Sequence, residues 1–336
     1  MIKINIFTEN NSREEFLHEL DLQRFPSGEY CIRENSSEDI DWDLVVVYEG
    51  LCKPVTLRCK EGNVVFISGE PPMSRVYPKA FLAQFDTLIT QHPKLKHPDN
   101  RQYHPCMNWH LSLSYKANRY LDNYADFAAM KPFAKSRNLS MITSSKRMMP
   151  GHGKRMKFVE ELKKQLGNEI DLFGQGIRFV DAKTEAINDY RFTISVENSQ
   201  IPNYWTEKFA DPILAFTIPF YCGCTNIADY FPEGCYIPID INNKDKAIAR
   251  IREILSNPEG EYQKRMPALM EARKKILDDY NIFFELQRMF GKQMAEDRTV
   301  KEYSISPSSV FPSYKYLHYK LRLLRLLAKI YITYFK

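Results

Sequence analysis

No CxxC pair, no glycine-rich nucleotide loop and no long apolar run at the amino terminus occur in these 336 residues, and each absence removes a class of function. The seven cysteines (31, 52, 59, 106, 222, 224, 235) form no CxxC pair and include no histidine cluster at ligand spacing, so a zinc ribbon or a dithiol redox centre has no support. Reduced thiols of a cytosolic protein are the simplest reading. Without GxGxxG or a P-loop, neither dinucleotide redox chemistry nor nucleoside triphosphate hydrolysis has support. The opening MIKINIFTEN lacks the apolar core of a signal peptide or anchor, which disfavours a luminal or secreted address. Repeats and low-complexity segments are also missing.

What is present is the composition of a globular protein, 44% apolar and 26% charged, with 21 Phe and 20 Tyr as buriable ring area. The length suits two α/β domains. The net charge of +5 sits at one end: residues 315 to 336 hold six basic and no acidic side chains. The remainder, with 41 basic and 42 acidic residues, is near neutral at −1. A neutral body without interleaved basic and aromatic residues argues against nucleic acid as partner.

Four short β-branched runs, Ile2 to Phe7, Leu44 to Tyr48, Val64 to Ile67 and Thr87 to Ile89, predict buried parallel strands covered by helices. Gln91 to Asn108 reads as a polar loop. A second half starts near Lys135, with strands at Leu139 to Thr143, Asp171 to Phe173, Phe192 to Val196 and Ile218 to Tyr221, and an amphipathic helix at Lys154 to Gln165. Glu261 to Lys292 predicts a long helical region broken at Pro267 and near Gly291, and residues 297 to 314 a loop. The expected domains are 1–134, 135–300 and a linker with basic tail over 301–336.

The informative stretch is DYRFTISVENSQIPNYWTEKFADPILAFTIPFYCG, residues 189 to 223. A strand ends in Glu197 and Asn198, a polar loop follows, and a helix opens at Thr206, a good N-cap, with Glu207 and Lys208 in its first turn. Strand carboxyl ends and helix amino termini are where anionic ligands bind in open α/β sheets. A lysine there works against the helix dipole, so a bound anion nearby is implied.

This order, YRF, ENSQ, Y, then TEK before an apolar helix and IPFYCG, resembles the α-1,3-fucosyltransferase family, glycosyltransferase family 10, bacterial type. Thinner likenesses flank it: Thr143, Ser144 and Ser145 followed by Arg155 at a helix start, DLFGQG at 171–176, PEGCYIPID at 232–240, and FISGEPP at 66–72. The resemblance implies a GT-B-like α/β fold, two Rossmann-like domains facing a cleft, followed here by a C-terminal amphipathic basic helix. It also implies an inverting enzyme moving fucose from GDP-fucose to a hydroxyl of a glycan acceptor such as lipopolysaccharide. By the same carry-over Glu70 is the general base, Arg155 and Lys208 bind and stabilise the leaving diphosphate, Glu207 and Asn198 hydrogen-bond ribose or sugar, and Tyr204 walls the donor pocket. Lys183 falls where the family often has a lysine, with Lys154, Lys146 and Arg147 competing with Arg155.

No tightly bound cofactor or metal is expected, a loose divalent ion on the diphosphate aside. Asp39, Asp41 and Asp43 precede a strand instead of following one, which disfavours convergence on a metal, and His92, His97, His104 and His110 lack cysteine partners. In the tail, Lys315, His318, Arg322, Arg325, Lys329 and Lys336 recur in steps of three, four or seven, one helical stripe beside Leu, Ile, Tyr and Phe. Such a helix suits a bilayer interface, and the resemblance, whose bacterial members can carry basic amphipathic tails, implies an enzyme peripheral on the cytoplasmic face of a bacterial membrane; docking on the protein's own core is the alternative. Other readings of the whole are a GT-B enzyme with a different nucleotide sugar, or a non-enzymatic membrane or nucleic-acid binding protein.

Overall fold

The structure, a computed structural model, describes residues 1–10, 12–143 and 150–334. Ser144, Ser145, Lys146 and Arg147 of the second-half strand end lie outside the described residues, as do Phe335 and Lys336. The chain divides into two units: Met1–Asn108 with Asn123–Ala125 and Tyr280–Leu324, and Trp109–Asp122 with Asp126–Asp279 and Arg325–Lys336.

The first unit holds β1 (Ile2–Phe7), β2 (Tyr30–Glu34), β3 (Asp41–Trp42), β4 (Leu44–Tyr48), β5 (Val55–Lys60), β6 (Val64–Ile67), α1 (Lys79–Leu82), β7 (Thr87–Thr90) and β8 (Asn100–Gln102). Six of these strands form a sheet in the order β2-β1-β4-β6-β7-β8, every pairing parallel. β4 and β6 are buried at every residue because both faces of a parallel sheet are covered. The order reverses between β1 and β4, and in such sheets the crevice for a ligand opens at the carboxyl ends beside that reversal.

The second unit adds the hairpin β9 (Leu113–Ser114) and β10 (Arg119–Tyr120), α2 (Tyr124–Ala129), β11 (Arg137–Ile142), α3 (Pro150–Leu166), β12 (Asp171–Phe173), α4 (Thr184–Ile187), β13 (Tyr190–Val196), α5 (Glu207–Leu214), β14 (Ile218–Cys222), β15 (Ile237–Pro238), α6 (Lys244–Leu255) and α7 (Pro258–Asp278). Its sheet, β12-β11-β13-β14-β15, is again wholly parallel and reverses between β11 and β13. Two Rossmann-like sheets of this kind are the GT-B architecture that the sequence implied.

The expected boundaries at 134 and 300 are corrected by the return of the chain. After α7 it re-enters the first unit as α8 (Ile282–Ala295) and β16 (Val300–Ile305), and then forms α9 (Ser313–Tyr334). Ile282, Phe283, Leu286, Phe290 and Met294 of α8 enter the core that contains Ile4, Val46 and Ile67. Burial of those side chains contributes roughly 1.5–3 kcal/mol each, which places α8 in the first unit and not in the second. Buried Glu285 adds specificity by accepting from the Tyr103 hydroxyl at 2.8 Å and the His104 ring at 3.2 Å, with Arg288 paired on its other oxygen.

Two further expectations change. The long helix breaks at neither Pro267 nor Gly291, but at Asn281, whose side chain caps Phe283 N–H at 2.9 Å. Residues 297 to 314 are not all loop, because β16 pairs antiparallel with β5 along six residues.

The histidines and acids once weighed as metal ligands have other engagements. His97 lies between the carbonyls of Asp99 and Phe85, both at 3.0 Å, while Asp41 pairs with Arg58 at 2.6 Å and Asp43 with Lys60 at 2.7 Å. Among the described residues no three His, Cys, Asp or Glu side chains gather as a metal site.

Candidate donor site

A cavity of about 520 Å³ opens in the second unit at the reversal between β11 and β13. Its wall is made from the strand ends, Met141 to Thr143 and Thr193 to Val196, from Arg155 of α3, from Gly174 and Gln175 after β12, and from Glu207, Lys208, Asp211 and Pro212 of α5. The turn after β12 can cover it only because residue 174 is glycine. Its φ is +121°, and a Cβ there would stand 1.8 Å from the Thr143 carbonyl oxygen.

Glu197 organises the entrance to α5. Its carboxylate accepts from Thr206 N–H at 2.9 Å and from the Thr206 hydroxyl at 3.0 and 2.9 Å. The same hydroxyl accepts from Lys208 N–H at 3.2 Å as the N-cap. Burial pushes the Glu197 carboxyl up to about 7, against the pull of the Lys208 ammonium 3.9 Å away. Glu197 thus ties the end of β13 to the start of α5.

Lys208 itself reaches Glu207 at 2.9 Å. Burial works against the charge of Glu207, but the ammonium groups of Lys208 and Lys183 hold its carboxyl well below the usual range. Lys183, at a position where the resembled family often has a lysine, lies 2.5 Å from Asp211 and 3.7 Å from Glu207. Despite burial, those two carboxylates keep it more basic than a free lysine. Asp211 also accepts from His110 N–H at 2.9 Å, and burial lifts it to about 6. The wall thus alternates cation and anion along α5, with Arg155 as a further, 8% exposed, guanidinium whose charge burial disfavours. Buried Arg155 and half-buried Lys208, beside a Thr143 hydroxyl with no protein partner among the described residues, suit a ligand bearing several anionic oxygens.

The structure therefore brings Arg155, Glu207 and Lys208 to one cavity. Asn198 stands half-buried at the end of β13, outside that wall. Tyr204 corrects an expectation: at 1% exposure it is enclosed in the domain and lines no part of this cavity. The loop turns inward there, Trp205 packing edge-on against Phe231 and Tyr230. The aromatic side chains at the cavity are instead Tyr115 and Phe179, 53% and 60% exposed, which sequence spacing had no means to join to the site. Asp181 ties their two loops together, accepting from Ser114 Oγ at 2.8 Å and Lys116 N–H at 2.7 Å.

Glu70, the remaining candidate, belongs to the first unit, directly after β6. Its backbone is held by three side chains, Glu49, Gln91 and His92.

Residues 133–266 match the family model described as glycosyltransferase family 10 (fucosyltransferase), C-terminal part. An α-(1,3)-fucosyltransferase FucT of Helicobacter pylori is 31% identical over 124 residues, and α-(1,3)-fucosyltransferase B of Drosophila melanogaster is 29% identical over 131. Each alignment covers 37% of this chain and 25% of the relative. The chain thus matches a quarter of the length of these curated relatives. A crystal structure of an α1,3-fucosyltransferase with GDP-fucose superposes with a TM-score of 0.51 at 18% identity, covering 89% of this chain and 91% of that one, a likeness of fold.

Proposed function

We propose that this chain, which carries the C-terminal part of glycosyltransferase family 10 over residues 133–266, moves fucose from GDP-fucose, with inversion, to a hydroxyl of a glycan acceptor. The observation that carries this reading is that the cavity holding Arg155, Glu207 and Lys208 is built, Tyr115 aside, from the matched segment itself. In the reaction the acceptor oxygen forms a bond to the sugar C1, its proton passes to the Glu70 carboxylate, and the C1–oxygen bond to GDP breaks. Arg155 and Lys208 take the charge that develops on the leaving diphosphate. A divalent ion can share that charge from solution. The reading is tested by calorimetry with GDP, GDP-fucose and UDP sugars, followed by product analysis of a GDP-fucose transfer reaction against a panel of glycans. Uptake of uridine but not guanosine nucleotides would redirect it to another donor.

Tyr115 and Phe179 supply the planar partners that a nucleobase needs, since exposed rings fixed by a shared Asp181 lose little entropy on stacking. With base stacking contributing about 1–3 kcal/mol, Phe179→Ala should weaken GDP binding roughly tenfold and leave inorganic pyrophosphate binding unchanged. An equal loss for both ligands would remove the ring from base recognition.

The acceptor is assigned to a surface glycan such as lipopolysaccharide on the strength of α9, which also supports peripheral attachment to the cytoplasmic face of a bacterial membrane. Leu321 is buried, while Tyr316, Tyr319, Leu323, Leu326, Leu327 and Ile330 are exposed at helical spacing on one stripe, with Lys315, Lys320 and Arg322 beside it. No helix among the described residues is long and apolar enough to cross a membrane. At about 1 kcal/mol per basic residue near anionic lipid, removing residues 313–336 should abolish co-sedimentation with phosphatidylserine-containing vesicles. Unchanged sedimentation of the truncated protein would end the anchor idea.

A further inference from the structure

The loop that carries Glu70 is fixed from an unexpected direction. Glu49 follows β4 at the reversal point of the first sheet and has a φ of +66°, a left-handed conformation that a glutamate adopts only at a cost. Its side chain is 13% exposed, and its carboxylate accepts the backbone N–H of Glu70 at 2.5 Å and the Tyr77 hydroxyl at 2.9 Å. Arg75 lies 3.1 Å from the same carboxylate and also pairs with Glu9. On the other side of the Glu70 peptide, its carbonyl accepts from Gln91 Nε2 and from the His92 ring, both at 2.7 Å, so that ring carries its proton on Nε2. Gln91 is oriented in turn by Ser68, whose hydroxyl also meets Thr90 at 2.7 Å.

Every part of this arrangement is expensive for a mere turn. A buried carboxylate on a strained backbone, itself anchored by Tyr77 and Arg75, is given to an amide N–H that water satisfies in most loops. The close packing leaves no slack. A Cβ at residue 69 would stand 2.5 Å from the Tyr48 hydroxyl, and one at residue 50 would meet the Glu9 carboxylate. Clamping the N–H and the C=O that flank one Cα fixes the direction in which that residue's side chain departs. Such fixing matters where a side chain must meet a reacting proton, since a misplacement of about 1 Å costs on the order of 10²-fold in rate.

We infer that Glu49 is a positioning residue for the transfer reaction, holding Glu70 by its backbone so that the Glu70 carboxylate points at the acceptor hydroxyl. The inference rests on Glu70 being the base of the proposed reaction, and Glu49 touches neither substrate.

The test compares Glu49→Ala, Glu49→Gln and the double variant Glu49→Ala/Glu70→Gln in the full chain. Glu49→Ala should lower kcat roughly 30- to 100-fold while the dissociation constant for GDP, set in the other unit, stays within about twofold. Amide exchange at Glu70 should accelerate in the same variant, a readout independent of activity. Glu49→Gln retains an acceptor oxygen for the Glu70 N–H and should recover to within about fivefold of the parent. Because Glu49 acts through Glu70, the double variant should be no slower than Glu70→Gln alone. A parent-like kcat for Glu49→Ala, multiplying effects in the double variant, or unaltered exchange at Glu70 would each overturn the inference. Parent enzyme that binds GDP-fucose but transfers nothing would instead overturn the proposed reaction.

Discussion

Glu70→Gln should leave GDP-fucose binding within about twofold of the parent and reduce kcat by roughly 10²–10⁴, the usual contribution of a positioned general base. The substitution keeps the size of the side chain and the backbone that Glu49, Gln91 and His92 hold, so packing around the loop is preserved. What is lost is the ability to take the acceptor proton. Binding is spared because the cavity with Arg155 and Lys208 lies wholly in residues of the second unit. Initial rates with saturating acceptor, measured beside calorimetry with GDP-fucose, separate the two effects. Parent-like kcat in this variant would move the base elsewhere in the first unit, and a parallel loss of donor affinity would show that the variant had not kept its structure.

The sequence made the central strands plain because a parallel sheet covered on both faces needs continuous apolar runs. β1, β4 and β6 lie where IKINIF, LVVVY and VVFI predict them. β16 was hidden for the opposite reason. VKEYSI is largely exposed, and its partner β5 is some 240 residues earlier, so neither pattern nor neighbourhood announces it. The helix break misled because proline is a weaker stop than its reputation: inside α7 Pro267 gives up one hydrogen bond, whereas Asn281 offers a capping side chain that starts a new helix.

At the site, the cluster at the start of α5 could be seen because it is local, Thr206, Glu207 and Lys208 in one turn. Lys183 and Asp211 are 28 residues apart and meet only through the fold, as do Tyr115 and Phe179. Tyr204 failed as a wall because a polar loop before a helix says nothing about which of its rings turns inward.

Lys208→Ala is expected to lower kcat/KM by about 10²–10³, the loss typical of removing one charged contact to a developing anion. GDP affinity should fall by less, since Arg155 remains and the charge on the diphosphate grows as the sugar departs. Lys208→Arg should keep part of the rate, its charge being retained but its fork being a different shape from a compact ammonium. Stability gives a second, independent signature. Burial holds the Glu197 carboxyl near 7, above its ordinary 4.5, so its contribution to stability is full below about pH 4.5 and is lost as pH rises through 7. Lys208 is the cation that moderates this rise, 3.9 Å from the Glu197 carboxylate. Without it the Glu197 carboxyl moves higher still, and ionising it costs more. The melting temperature of Lys208→Ala should therefore lie below the parent by a fixed amount near pH 5, where ionised Glu207 has lost its partner, and fall further below it up to pH 8. A difference that is constant across that range, together with a parent-like kcat/KM, would place Lys208 at the surface of the chemistry, neutralising its neighbours and touching no phosphate.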